Sequence, residues 1–235
     1  MAKRGDSTSM TGLEKILGGV LLAVYLWVLP LAAGPLFDLV QRTFSVSIGD
    51  ALREAVRYYI LFGLTAVFFG NYLVRMGRAF LNHAGQSLCA VGIGLVAFYG
   101  CNELLRRCLR LFSASPVNWN DQAITVRLHS APGHTILIVV FLAPVIEEVI
   151  FRGFVFGNLR EYSRGGAYLI SGLLFALVHI WPYFAGGWSV SCLPMILSYL
   201  APGLVMTWTF ERSDSIWGSI LLHAVVNGFA VWSVF

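Results

Sequence analysis

Residues 143–153 read APVIEEVIFRG and contain two adjacent carboxylates, Glu147 and Glu148, on which the interpretation of the whole chain rests. The apolar stretch that leads into them, Thr135–Ile146, has no charged residue and has the composition of a membrane span. An ionisable group at such depth costs from roughly 2.5 to more than 10 kcal/mol. Two neighbouring carboxylates there need polar partners or a water-filled cavity, so they indicate a functional site.

The overall composition is that of a membrane protein. The chain has 235 residues, of which 57% are hydrophobic and 12% are charged, whereas soluble domains have about 25% charged residues. The apolar runs are continuous rather than alternating, which argues against a transmembrane β-barrel. The sequence therefore predicts an all-α fold, a polytopic transmembrane helical bundle of about seven to eight spans. We attribute the net charge of +4 to loops and lipid headgroups, and expect no nucleic-acid partner.

Seven apolar segments can be recognised along the chain. We expect Pro30 and Pro35 to kink or end the first one. Because this segment is too long for a signal peptide and has no clear cleavage site, we interpret it as a retained span. The approximate bounds of the seven segments are Ile16–Val40, Tyr58–Val74, Ser87–Leu105, Thr135–Phe151, Ala167–Phe184, Leu193–Phe210 and Ser215–Phe235.

The longest polar connection is Arg106–Gly133, which we predict to be a basic surface loop. The segment at its start, Leu104–Phe112, alternates apolar and basic residues. This segment either lies flat on the membrane surface or simply ends the third span. The resulting division is residues 1–133 for the N-terminal membrane helices and this loop, and residues 134–235 for a catalytic membrane core.

Charge does not decide the orientation of the whole chain. Seven crossings would place eight basic residues on the side of the N-terminus and seven on the other side, whereas the positive-inside rule needs a clear excess. The second half is more informative, because Arg160 and Arg164 follow the fourth segment while residues 181–192 contain no Lys or Arg. We therefore expect the Glu-containing end of the fourth segment, and the opening of its cavity, to face the cytoplasm.

Further polar residues recur in the apolar second half. Arg152 follows Glu148 by four residues, so the two can pair on one helix. His179 ends the apolar run at residues 173–178, and His223 and Asn227 are four residues apart and share one helix face. Each of these alone has a structural explanation, as a hydrogen-bonding or helix-pairing group. Together they indicate a site, because every additional buried polar group has a cost.

These residue types suit the hydrolysis of a peptide bond. The reaction needs a base for water, a proton donor for the leaving amine and donors for the oxyanion. A glutamate in an apolar setting can be the base. Because Arg152 offsets the charge of Glu148, we assign Glu147 as the base and Glu148 as its ion-paired neighbour, although the reverse assignment remains open.

Other chemistries have less support. One Glu with two His is a known zinc ligand set, but HExxH is absent from the sequence. No Ser lies in a GxSxG context. The four cysteines form no CxxC pair, so we interpret them as packing residues.

Three motifs resemble one known family. Residues 147–152 (EEVIFR) match EExxxR, residues 175–179 (FALVH) match FxxxH, and residues 223–227 (HAVVN) match HxxxN. In order and spacing they are similar to the CPBP family of membrane proteases, also called the Abi or type II CAAX endopeptidase family. The resemblance covers about Thr135–Phe229.

This resemblance implies a glutamate-dependent intramembrane protease that needs no metal or other cofactor. Glu147 and His179 would activate water, His223 and Asn227 would hold the oxyanion, and Glu148 and Arg152 would shape the site. Family members act on membrane-associated peptides or proteins, by removing C-terminal tails or by maturing peptides, and some are non-catalytic partners or bacteriocin-immunity proteins. A prenylated substrate is less expected here, because CAAX-processing members commonly have eight spans, whereas this chain is short and has about seven.

The expected partners are thus a membrane-associated substrate and the lipid bilayer, with the oligomeric state left open. The excess of Arg over Lys is typical of a GC-rich bacterium. We therefore expect a multi-pass protein of a bacterial cytoplasmic (inner) membrane.

Overall fold

The computed structural model describes residues 9–111, 119–181 and 192–235. In these ranges every regular element is helical. The helices are α1 (Gly12–Phe44), α2 (Asp50–Asn82), α3 (Ala84–Leu111), α4 (Trp119–Ser130), α5 (Pro132–Leu159), α6 (Arg164–Ile180), α7 (Cys192–Ser213) and α8 (Ile216–Trp232).

Each predicted apolar segment corresponds to one of these helices. Five of them, α1, α2, α3, α5 and α7, are long and apolar enough to cross a membrane. The shorter α6 and α8 have 17 residues each, about 25 Å of helix, which is near the lower limit for a span. The predicted polytopic all-α bundle is confirmed, and the chain is a multi-pass membrane protein. Residues 182–184 of the predicted fifth segment, and the basic residues Lys3 and Arg4, lie outside the described ranges.

Helix α1 does not end at its prolines, contrary to one of our two expectations. It begins at a capping box, in which Thr11 and Glu14 each accept from the other's backbone N–H. It then continues to Phe44 through Pro30 and Pro35. A π-helical turn, Val24–Val28, ends two residues before the first proline, and such turns accommodate local disruption of the α-helical ladder.

The connection predicted as a loop contains a helix of its own. Helix α4 covers its second part, and α3 continues to Leu111. The residues from Leu104 to Leu111 therefore prolong the third span, and the alternative of a separate surface helix is wrong for them. Phe112 lies outside the described residues. Helix α4 was missed because its polar sequence has little hydrophobic periodicity to indicate a helix.

Helix α5 is the central element of the bundle. Over an apolar stretch of 18 residues, 56% of the residues of α5 are buried, whereas 17% are buried in a stretch of the same length in α1. Large apolar side chains on α1, α2 and α3 are exposed, as expected where helices face lipid. Helix α5 also contains two π-helical stretches, Leu137–Leu142 and Val149–Phe156, on either side of the Glu pair. Such stretches are frequent at functional sites.

Small residues bring two pairs of helices into close contact. A Cβ on Gly203 of α7 would lie 3.2 Å from the Cα of Gly172 of α6. A Cβ on Gly18 of α1 would lie 2.3 Å from the ring of Phe154 of α5. Both contacts require glycine for its size, and they place α7 and α1 directly against the elements that carry the polar residues.

Candidate functional site

The Glu148–Arg152 pair predicted from its spacing is present and completely buried. Arg152 Nη1 donates to Glu148 Oε1 at 2.9 Å, and both side chains have 0% exposure. Arg152 Nη2 donates to the carbonyl oxygen of Gly203 at 2.9 Å, and the guanidinium stacks 4.4 Å from the ring centre of Phe175. The buried guanidinium therefore has a counter-ion, a backbone acceptor and an aromatic ring, which together offset most of the cost of burying its charge.

His223 joins this ion pair from α8. Its Nδ1 lies 2.9 Å from Glu148 Oε1. Because a carboxylate accepts hydrogen bonds, this nitrogen carries the hydrogen. The other ring nitrogen, Nε2, then faces Glu147, at 4.0 Å from Oε2. Glu148 therefore fixes the orientation of His223.

Glu147 has a different environment from its neighbour. The residue is 3% exposed, and its Oε2 atom is buried without a hydrogen-bond partner among the described residues. His179 Nε2 lies 3.7 Å from this oxygen. The two imidazole nitrogens and this carboxylate oxygen thus face one point, at separations that suit a bridging water better than direct hydrogen bonds.

The ring of His179 is held on two sides. Its Nδ1 lies 2.8 Å from the backbone carbonyl oxygen of Phe175, one turn earlier on α6. A carbonyl only accepts, so Nδ1 is the protonated nitrogen and Nε2 is directed at Glu147. Tyr199 of α7 stacks on the ring, with the ring centres 4.6 Å apart.

Asn227 lies one turn beyond His223 and lines the same cavity. Its amide nitrogen donates to the carbonyl oxygen of Val139 on α5 at 2.8 Å. A side-chain amide has two N–H donors, so one is left for another acceptor. All six residues predicted for the site, Glu147, Glu148, Arg152, His179, His223 and Asn227, therefore lie together at the junction of α5, α6 and α8.

Two further groups belong to the site but were not predicted. The phenol of Tyr25, in the π-helical turn of α1, donates to Glu147 Oε1 at 3.2 Å. The carbonyl of Gly203 receives Arg152. A tyrosine in the middle of an apolar span is a weak signal, because a buried phenol usually has a partner. No sequence signal identifies the carbonyl, since every residue has one.

A cavity of about 910 Å³ connects Glu147, His179, His223 and Asn227 to one end of the bundle. Its lining comes from Tyr25 of α1, the beginning of α2, the end of α3, helix α4, α5 as far as Glu147, the end of α6, the first part of α7 and the second half of α8.

We expected the cavity between the fourth, fifth and seventh segments and open toward the cytoplasmic side. The first part of that expectation was too narrow, because α2, α3 and α4 also line the cavity, and the second part stays a prediction. The lining lies at the end of the bundle opposite to Arg160 and Arg164, because Glu147 is reached along α5 from its N-terminal side.

The described residues contain no group of three or more His, Cys, Asp or Glu side chains arranged to hold a metal ion. Glu147 with His179 and His223 is the closest approach to such a group. Glu147 Oε2 lies 3.7 Å from His179 Nε2 and 4.0 Å from His223 Nε2. Cys89, Cys101 and Cys108 are free thiols exposed on α3, while the side chain of Cys192 lies outside the described part.

Comparison with known proteins gives a match for the second half of the chain. Residues 130–229 match the family model described as Type II CAAX prenyl endopeptidase Rce1-like. Among curated proteins, the "Putative membrane peptidase YdiL" of Bacillus subtilis (strain 168) is 32% identical over 113 residues, which are 48% of this chain and 41% of that protein. No solved structure matches.

Two further relatives come from Lactococcus lactis subsp. lactis (strain IL1403). The UPF0177 protein YxdF is 34% identical over 88 residues, which are 37% of this chain and 43% of that protein. The UPF0177 protein YbdI is 30% identical over 95 residues, which are 39% and 44% of the two chains. The chain thus spans less than half the length of the curated relatives it matches. The resemblance predicted from the three motifs is confirmed for the segment 130–229, which contains all of them and matches the Rce1-like, type II CAAX prenyl endopeptidase family model.

Proposed function

We propose that this protein is an intramembrane endopeptidase that hydrolyses a peptide bond of a membrane-associated peptide or protein with water activated by Glu147. One observation carries the proposal. The unpartnered Oε2 of Glu147 faces the Nε2 atoms of His179 and His223 within a cavity that reaches the end of the bundle. The family match and the peptidase name of the Bacillus relative support the same reaction class.

Water is activated at the free carboxylate oxygen. Tyr25 holds Oε1 of Glu147, so Oε2 is the atom directed at the water. Glu147 accepts a proton as the water oxygen attacks the scissile carbonyl carbon. His179 orients the water through Nε2, since its Nδ1–H is committed to the Phe175 carbonyl. The same proton then passes to the leaving amine, so one water is consumed for each bond cut.

The oxyanion is stabilised from α8. The first donor is Nε2–H of His223. Because Nδ1–H of the same ring is directed at Glu148, the ring carries a hydrogen on both nitrogens when it donates to the oxyanion. The free N–H of the Asn227 amide is the second donor. Buried and preorganised donors of this kind stabilise developing charge strongly. Arg152 balances Glu148, which lets Glu148 keep its negative charge beside His223.

The test is a cleavage assay of the full chain in proteoliposomes, with a pooled library of membrane-anchored peptides analysed by mass spectrometry. Removing a general base costs about a hundredfold to ten-thousandfold in rate. We therefore expect losses of this size for Glu147→Gln and His179→Ala, and a loss of about a hundredfold to a thousandfold for His223→Ala, which removes an oxyanion donor. The matched control is Glu211→Gln, because Glu211 pairs with Arg164 outside the cavity lining.

Two alternatives predict other results. A zinc-dependent membrane protease would lose activity with o-phenanthroline and regain it with added zinc, whereas we expect no effect of the chelator. A non-catalytic membrane partner or bacteriocin-immunity protein would keep its biological effect as Glu147→Gln. Wild-type cleavage by a folded Glu147→Gln variant would remove Glu147 from the mechanism.

A further inference from the structure

A second concave surface, which we call the α7 groove, lies apart from the candidate active site. Its volume is about 360 Å³, and its lining comes from α3, α6 and α7. None of the lining residues belongs to the cavity that contains Glu147. The side chains of the α7 groove are apolar apart from one phenol, and they are Ile93, Ala97, Tyr168, Leu204, Val205 and Trp208.

The groove is formed because α7 packs closely against both of its neighbours. A Cβ on Gly94 of α3 would lie 2.4 Å from Oγ1 of Thr209 on α7. On the other side, α6 and α7 meet at Gly172 and Gly203. Between these contacts the surface stays open, since Ile93 is 51% exposed. An open apolar surface within membrane-spanning helices faces acyl chains rather than water.

The groove lies near one end of the bundle. Trp208 is five residues and Leu204 nine residues before the end of α7 at Ser213, which corresponds to depths of about 7 and 14 Å. The phenol of Tyr168 donates to Glu211 at 2.7 Å and so marks the polar end of the groove. Trp and Tyr are enriched at this level of a membrane, where headgroups meet acyl chains.

Two arginines stand at the polar end, and only one of them is paired. Arg164, one turn before Tyr168, forms an ion pair with Glu211. Arg212 follows Trp208 by four residues and therefore shares its face of α7. Arg212 is exposed, and in the described part of the chain no acidic side chain forms an ion pair with it. Because Arg164 and Glu211 balance each other, the end of the groove carries one net positive charge.

We propose that the α7 groove binds one acyl chain of an anionic phospholipid whose phosphate lies at Arg212. The apolar lining suits a hydrocarbon chain, and a guanidinium matches a phosphate with parallel N–H donors. An anionic lipid complements the net charge of this end, whereas the choline of a zwitterionic lipid offsets its own phosphate. The bound lipid would contact α6 and α7, which carry His179 and Tyr199. The binding site does not depend on the proposed peptidase reaction.

The test uses the fluorescence of Trp208, because bromine atoms on an acyl chain quench an indole only at short range. The full chain and its Trp208→Phe variant are reconstituted in phosphatidylcholine vesicles, and the difference between their emissions isolates Trp208. Phosphatidylglycerol or phosphatidylcholine with dibrominated acyl chains is then added in equal mole fractions. We expect the brominated phosphatidylglycerol to reach half-maximal quenching at about a fivefold lower mole fraction, the effect of one basic side chain at a membrane surface.

Arg212→Gln should remove this preference, because it deletes the charge and leaves the apolar lining unchanged. The matched control is Arg78→Gln. Arg78 is also exposed, lies near the end of α2 at the same end of the bundle and is absent from the groove lining. The control should keep the full preference. Should Trp208→Phe fail to fold, native mass spectrometry decides, with one phosphatidylglycerol retained by the wild type and by Arg78→Gln but lost by Arg212→Gln.

Three outcomes overturn the proposal. Equal quenching by the two brominated lipids would mean that the groove contacts only the general lipid around the protein. The absence of quenching by either lipid would mean that something else covers the groove, such as a second copy of the chain. A preference that survives Arg212→Gln would mean that the phosphate does not lie at this arginine.

Discussion

At the scale of single residues, the two adjacent glutamates are both buried but have different hydrogen-bond partners. Glu148 is bound on one oxygen by Arg152 and His223. Among the described residues, Oε1 of Glu147 accepts a hydrogen bond from Tyr25 alone, and its second oxygen faces the Nε2 atoms of His179 and His223. Identical side chains next to each other in the chain therefore have different partners. The cause is the helix itself, which turns successive side chains about 100° apart.

The buried ion pair makes a prediction about stability. Replacing Arg152 with Met leaves Glu148 charged and buried at 0% exposure, and breaking such a pair from one side costs about 3–5 kcal/mol. We expect a large fall in the unfolding temperature of the detergent-solubilised protein, measured by differential scanning fluorimetry. The double variant Glu148→Gln/Arg152→Met should recover part of the loss, because it removes the unpaired charge.

The control for this prediction is Arg164→Met. Arg164 also pairs with a glutamate, Glu211, but its side chain is 71% exposed, so its loss should leave the unfolding temperature unchanged. If Arg152→Met unfolds no earlier than Arg164→Met, the buried pair is not the stabilising element described above.

At the scale of helices, the site depends on the packing of α1 as much as on the three motif-bearing helices. Gly18 lets α1 approach the ring of Phe154, and Tyr25 follows two turns later on the same helix. A Cβ at Gly18 would lie 2.3 Å from that ring. Overpacking of this kind costs about 1–3 kcal/mol and moves α1 away from α5.

We therefore predict that Gly18→Ala lowers the unfolding temperature and slows peptide cleavage, because Tyr25 no longer reaches Glu147. Gly34→Ala is the matched control on the same helix, since a Cβ there has nothing within 4 Å. That change should be neutral or stabilise by up to about 1 kcal/mol, as alanine favours helix over glycine. Cleavage and unfolding are measured for both variants under the same conditions, and equal effects would contradict the proposed role of the contact.

The sequence predicted what lies within one helix better than what lies between helices. The four-residue spacing of Glu148 and Arg152 was enough to predict their pair, because neighbours on a helix face are fixed by its pitch. Tyr25 could not be placed, since the helix register that brings it to Glu147 depends on side-chain packing over the whole contact. Helix α4 was likewise missed, because its polar surface gives no apolar periodicity.

At the scale of the whole molecule, the two ends of the bundle are chemically different. The cavity leads to the end formed by α4 and the last turns of α8, and the opposite end carries Arg160, which follows α5, and Arg164, which begins α6. If the basic loop is cytoplasmic, as the positive-inside rule favours for this half, the cavity opens on the other face of the membrane. A substrate would then enter from the non-cytoplasmic side.

The arrangement of the seven apolar helices predicts which positions share a face of the membrane. In a variant with the native cysteines replaced by serine, Ser130→Cys and Val234→Cys should react with a membrane-impermeant maleimide from the same side. Tyr162→Cys should react only from the other side, because α5 crosses between residues 130 and 162. All three positions lie at the ends of helices. The measurement is labelling of intact spheroplasts compared with inverted vesicles, and labelling of Ser130→Cys and Tyr162→Cys from one side would mean that α5 does not cross the membrane.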